Sequence, residues 1–154
     1  MRTVSKTVIG VDFGTQSARA VLVNAENGEI IYSCRKEYPY NSTPVPAIDC
    51  AENLPCATDY EMTLYELLRN VIPEEYRKTV AGICVDATSL TMVLLAEDGR
   101  ALSELDGWSE AAHARVKLWK YHRAQEKADE ALNLARNLQE PFLGRTGGSI
   151  SCEW

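Results

Sequence analysis

The stretch Thr7-Val8-Ile9-Gly10-Val11-Asp12-Phe13-Gly14-Thr15-Gln16-Ser17-Ala18-Arg19-Ala20-Val21-Leu22-Val23-Asn24 decides the architecture. Residues 7–12 are apolar and rich in β-branched side chains, the pattern of a buried strand. Gly14 marks a tight turn, and 19–24 is a second apolar run. Asn27-Gly28 is a strong hairpin-turn pair, after which 29–38 reads as a third strand. Three strands joined by two short turns make an antiparallel meander.

Beyond the meander, 41–55 holds Pro44, Pro46 and Pro55 and has no period, so it reads as a surface loop. Thr58 and Glu61 have capping-box spacing. Tyr60, Leu64, Leu67, Leu68 and Val71 follow at helical spacing, and Pro73 ends that helix. Residues 80–85 read as another buried strand, ending at Asp86. A short strand is expected over 91–96, a turn over 97–100, and a long amphipathic helix over 110–138. The tail around Gly144, Gly147 and Gly148 has loop chemistry. The order β-β-β-α-β followed by a helix predicts an α/β fold, a mixed sheet flanked by helices.

The chain has 154 residues, enough for one domain or part of one. Apolar residues at 45% and charged residues at 25% fit an ordinary globular protein. The net charge of −6 repels phosphate backbones and anionic lipid heads, so neither nucleic acid nor a membrane surface is expected as a partner. No segment approaches ~20 consecutive apolar residues. The apolar run beginning at Val8 meets Asp12 too early for a signal-peptide core, so a cytoplasmic location is expected. The five cysteines include no pair at zinc-knuckle or redox spacing. Cys50 and Cys56 are the closest two and are expected as free thiols. His113 and His122 lack metal-ligand spacing.

Three places carry chemistry. At the first turn, Gly14 lets a ligand approach the backbone, consecutive N–H groups can form an anion-binding concavity, and Thr15 and Ser17 add hydroxyls. Asp12 at the strand end suits a hydrated Mg²⁺ beside a phosphate. An ordinary hairpin with polar turn residues accounts for the same letters. At the second place, Asp86, Thr88, Ser89 and Thr91 sit just past a strand's carboxyl end, where ligand clefts form. A turn in which Asp86 accepts backbone N–H groups accounts for them equally. At the third, Trp119 offers a flat apolar face with one N–H, and Lys120 and His122 offer donors. A core anchor and a solvated charge are the alternatives there.

The segment Asp12-Phe13-Gly14-Thr15-Gln16-Ser17-Ala18-Arg19 resembles the first phosphate motif of the FGGY carbohydrate kinases, within the actin, Hsp70 and sugar-kinase superfamily. Asp86-Ala87-Thr88-Ser89-Leu90-Thr91, Leu118-Trp119-Lys120-Tyr121-His122 and Gly147-Gly148-Ser149-Ile150-Ser151-Cys152-Glu153-Trp154 are similar to stretches of the L-ribulokinase branch. The second lacks the Arg-Glu pair of glycerol kinases and the Met-His pair of xylulokinases. The resemblance implies a ribonuclease-H-like fold, with ATP and Mg²⁺ as cofactors. It implies that Asp12, Gly14, Thr15, Gln16 and Ser17 face the phosphates, with Asp12 acting on Mg²⁺ through water. It implies that Ser89 and Trp119, with Asp86 and Lys120, contact a ketopentose, L-ribulose, phosphorylated in arabinose catabolism.

Family members are much longer. The resemblance therefore implies that 1–154 is an N-terminal, partial first domain, with the catalytic base and the adenosine-binding second domain outside it. Asp86 and Asp106 have no context that marks either as that base. The 154 residues alone are expected to be inactive, and uncovered cleft surface leaves room for a homo-oligomer. Kinases of D-ribulose or xylulose, and a non-catalytic sugar- or phosphate-binding module, are the competing readings. A chaperone- or actin-like ATPase has no use for the Trp119 motif.

Overall fold

The computed structural model describes residues 5–39, 55–109, 111–119 and 122–153. Strand β1 (Thr7–Phe13) turns at 14–16 into β2 (Ser17–Asn24), which turns through Asn27-Gly28 into β3 (Ile30–Glu37). Gly28 takes φ +76°, the left-handed geometry for which the Asn-Gly pair is suited. Helix α1 (Ala57–Val71) leads to β4 (Val80–Ala87), and α2 (Gln125–Asn137) lies near the end of the chain. The sheet runs β3-β2-β1-β4. β1 pairs antiparallel with β2 and parallel with β4, and β2 pairs antiparallel with β3. The mixed sheet and the three-strand meander are as the sequence predicts.

Alternation sorts the sheet into two faces. Ile9 and Val11 of β1, with Ala18, Ala20 and Leu22 of β2, point to the face that α1 covers. α1 answers with a buried stripe at every fourth residue, Asp59, Thr63, Leu67 and Val71. Lys36 of β3 reaches Glu66 of α1 at 2.6 Å. The opposite face carries Val8, Gly10 and Asp12 of β1 beside Ser17, Arg19, Val21 and Val23 of β2. Nothing among the described residues covers it.

Several local expectations are corrected. α1 starts at Ala57, with Cys56 as its N-cap and Asp59 closing the box by accepting the Cys56 N–H at 2.8 Å. Thr58 instead donates to Glu104 at 3.1 Å. β4 was expected to be buried, yet Ile83 and Val85 are 53% and 57% exposed. β4 is the sheet's edge, and α1 packs over β2 and β3 rather than over it. The segment 91–96 forms no strand, only the isolated bridges Met92–Lys117 and Leu95–Ala101.

The long helix is shorter than its periodicity suggests. α2 covers Gln125–Asn137, preceded by single 3-10 turns at Ala112–Ala114 and His122–Ala124. Between them, Lys117 exchanges backbone hydrogen bonds with Met92 at 2.9 and 3.0 Å, and the Val116 N–H reaches Pro55 O at 3.1 Å. Those bonds use groups that a helix would need. Cys34, Cys56, Cys84 and Cys152 are free thiols, and Cys50 lies outside the described residues. No helix among the described residues is long and apolar enough to cross a membrane.

Candidate phosphate and sugar site

The 14–16 turn is clamped from three sides. Gly14 N–H donates to Ser17 O at 3.0 Å, closing the hairpin. A Cβ at Gly14 would lie 3.1 Å from that same carbonyl oxygen, so glycine is needed for the close approach. Just past β3, Tyr38 ties the turn down twice: its hydroxyl donates to Gly14 O at 2.9 Å and its N–H to Gln16 O at 3.2 Å. Tyr38 is buried against Tyr60 of α1, with ring centroids 5.0 Å apart, and Tyr60 meets Phe13 edge-on at 5.7 Å. Burial pushes the Tyr38 phenol well above its ordinary range, and pushes Tyr60 up to about 12. The turn therefore rests on an aromatic support rather than on mobile loop chain.

Above the turn lies a shallow cavity of about 210 Å³, lined by Asp12, Gly14, Thr15, Gln16, Ser17, Arg19 and Arg35. The five turn residues singled out in the sequence thus share one concavity. Parallel pairing of β1 with β4 sets Asp12 opposite Asp86 and Phe13 opposite Ala87, and the Thr88 N–H continues the ladder to Phe13 O at 3.0 Å. The first and second motifs therefore leave the sheet side by side at its carboxyl end, where α/β sheets bind ligands. Asp86 also accepts its neighbour's N–H, from Ala87 at 2.9 Å. Thr88 and Thr91 share a hydroxyl hydrogen bond, and Ser89 between them is exposed.

Trp119 comes to the same place, though not from a helix. Val116 and Leu118 are buried, and Trp119 follows them with its indole N–H donating to the Thr15 hydroxyl at 3.2 Å. The indole is 44% exposed. The third motif thus touches the first directly across 104 residues of sequence. Lys120 lies outside the described residues. His122 belongs to a 3-10 turn and approaches Glu153 at 3.7 Å. Gly147 and Gly148 adopt φ +68° and +78°, and Arg136 of α2 holds Gly148 O at 3.2 Å.

Two site residues escaped the sequence reading. Arg35 donates from Nε to Ser17 Oγ at 3.0 Å, whereas 29–38 reads in the sequence only as a third strand. Tyr38 was read only as a strand end. The extended course of 116–118 did have a signal: Ala114, Val116 and Leu118 alternate with Arg115 and Lys117, a period of two.

No family model matches the chain. Among curated proteins it is 34% identical to the ribulokinase of Halalkalibacterium halodurans over 158 aligned residues. It is 36% identical to the ribulokinase of Mycolicibacterium smegmatis over 159. Each match takes in 97% of this chain and 28% of the relative, so the chain spans little more than a quarter of their length. Among solved structures, the fold matches gluconate kinase from Lactobacillus acidophilus with a TM-score of 0.59. The identity there is 20%, covering 87% of this chain and 24% of that one. The xylulose kinase of the same organism gives a TM-score of 0.58, with the same identity and coverage. The fold is thus shared with these two sugar kinases. Over almost its whole length this chain is similar in sequence to the N-terminal quarter of ribulokinases, and it shares its fold with sugar kinases.

Proposed function

We propose that these residues form the phosphate wall and part of the sugar wall of an ATP-dependent ribulokinase, which transfers the γ-phosphoryl of MgATP to L-ribulose. The indole N–H of Trp119 on the Thr15 hydroxyl carries this reading. It puts a flat sugar platform in contact with an anion-binding turn, the two things that a sugar kinase must hold together. The ribulokinase relatives support ribulose over other acceptors.

In this reading the turn backbone and the Thr15 and Ser17 hydroxyls hold the phosphates. Asp12, with Asp86 opposite it in the register, suits a hydrated Mg²⁺. The metal would offset charge on the phosphates. The chain's own part is to fix the turn, orient the donors and place the sugar face. Trp119, Ser89, Asp86 and Lys120 serve the ketopentose. The 154 residues act as a partial first domain of a cytoplasmic enzyme. The catalytic base and the adenosine contacts come from elsewhere in the complete protein.

A coupled ADP-release assay tests this. The 154-residue chain alone is expected to show no ribulose-dependent turnover. A chain continuing to the full length of its relatives is expected to phosphorylate L-ribulose in preference to D-xylulose. Ribulose-dependent turnover by the short chain, or preference for D-xylulose by the long one, contradicts the proposal.

A further inference from the structure

Pairing registers across the sheet align four charged residues in one row on its open face. Asp86 lies opposite Asp12, Asp12 opposite Arg19, and Arg19 opposite Arg35. The row reads two carboxylates, then two guanidinium groups. Like charges directly opposite one another across strands are destabilising. A sheet with only structural demands has no reason to set Arg35 beside Arg19.

Among the described residues, nothing strong offsets the pair on its outer side. Arg35 approaches Glu37 at 3.8 Å, where the Glu37 side chain is 81% exposed; such a surface contact contributes little. The Arg35 Nε–H instead donates to Ser17 Oγ at 3.0 Å. That bond lays the guanidinium over the turn cavity and uses an acceptor lone pair of Ser17, so the hydroxyl proton is left to donate elsewhere. Arg35 lines the same 210 Å³ concavity as Thr15 and Gln16.

We infer that Arg35 is a second phosphate-binding guanidinium of this site, paired with Arg19 on the terminal phosphoryl oxygens of the nucleotide; the inference rests on the phosphate-site reading above. An oxyanion between the two forks relieves their repulsion and takes charge-assisted hydrogen bonds from both. Arginine suits the place because the transferred phosphoryl spreads its charge over three oxygens, which a planar fork can span. By holding Ser17, Arg35 also sets the direction of one turn donor before the anion arrives.

The test is calorimetric titration of the 154-residue chain with inorganic pyrophosphate, alongside melting curves with and without it. Arg35→Gln is expected to weaken pyrophosphate binding about tenfold, the loss of one charge-assisted contact. Arg35→Lys, which keeps the charge without the fork, is expected to fall between. Without ligand, Arg35→Gln is expected to melt no lower than the parent, because a like-charge neighbour has been removed, and to lose most of the pyrophosphate-induced rise in Tm. Gly14→Val, which crowds the turn, marks the site itself. If Gly14→Val abolishes binding while Arg35→Gln binds within twofold of the parent, the phosphate site stands and the role of Arg35 falls. If Arg35→Gln lowers the unliganded Tm as much as the affinity, and lysine restores neither, Arg35 is a structural clasp and the inference falls. A parent chain that binds no pyrophosphate overturns the inference and the phosphate-site reading together.

Discussion

Tyr38 and Tyr60 are ring neighbours whose hydroxyls meet different fates. The Tyr38 hydroxyl donates to Gly14 O, whereas the Tyr60 hydroxyl is buried with no partner among the described residues. A net hydrogen bond contributes about 1 kcal/mol, and an unpaired buried hydroxyl costs a similar amount. Tyr38→Phe is therefore expected to destabilise the chain by about 1 kcal/mol in urea melts, and Tyr60→Phe to leave it unchanged or more stable. Both phenols have folded pKa values above the unfolded value of about 10. As pH rises, the unfolded chain therefore releases these protons first. Their contribution is intact below pH about 10 and is lost as pH climbs through the folded values, near 12 for Tyr60. Melting temperature is expected to fall above pH about 10, and less steeply in Tyr38→Phe, which removes one of the two titrating phenols. How legible the site was follows from the same scale. Asp12, Gly14 and Ser17 stand within six residues and could be read as one motif. Arg35 joins them only through the β2–β3 register, and Tyr38 only through a side chain that reaches back across the hairpin.

At the scale of elements, the hairpin and α1 follow local rules and were visible in the letters. The Asn-Gly turn, the apolar run of 19–24 and the helical stripe Tyr60, Leu64, Leu67, Leu68 and Val71 each fit within one window of sequence. Leu67 lies at the centre of that stripe, fully enclosed beneath β2 and β3. Leu67→Ala is expected to cost about 2–5 kcal/mol, read as a drop in the urea midpoint at unchanged slope. The stretch ending at Trp119 followed no local rule. Apolar residues spaced three and four apart continue from 118 to 138, but bridging to Met92 and burial of Val116 and Leu118 hold the first part extended. Tertiary pairing overrode helical periodicity there. That extended course lets Trp119 meet Thr15. Trp119→Phe and Thr15→Val are accordingly expected to be non-additive. The double variant should bind pyrophosphate no more weakly than the worse single one, because each single change already breaks the link.

At the scale of the molecule, one sheet face is packed and the other is bare. Val8, Ile83 and Val85 are exposed, and β4 presents an edge without a neighbour among the described residues. The apolar letters of β4 announced a buried strand; the strand is there, and the burial is not. What they could not announce is that no element among the described residues buries it. The chain spans 28% of the length of the curated relatives it matches. Exposed apolar edges promote association. In sedimentation velocity the 154-residue chain is expected to form dimers and larger species with rising concentration, and Val85→Lys to shift it toward monomer. Concentration-independent monomer behaviour in the parent would count against that expectation.

We propose that the 12–17 turn and Trp119 form two adjoining walls of one kinase site. Amide and indole NMR spectra of the 154-residue chain, titrated separately with MgATP and with L-ribulose, test it most directly. MgATP is expected to shift the amides of Gly14, Thr15, Gln16 and Ser17, and L-ribulose to shift the Trp119 indole N–H and Ser89. Shifts absent from these residues, or gathered at the far end of the sheet around Asn24 and Glu29, would contradict the account.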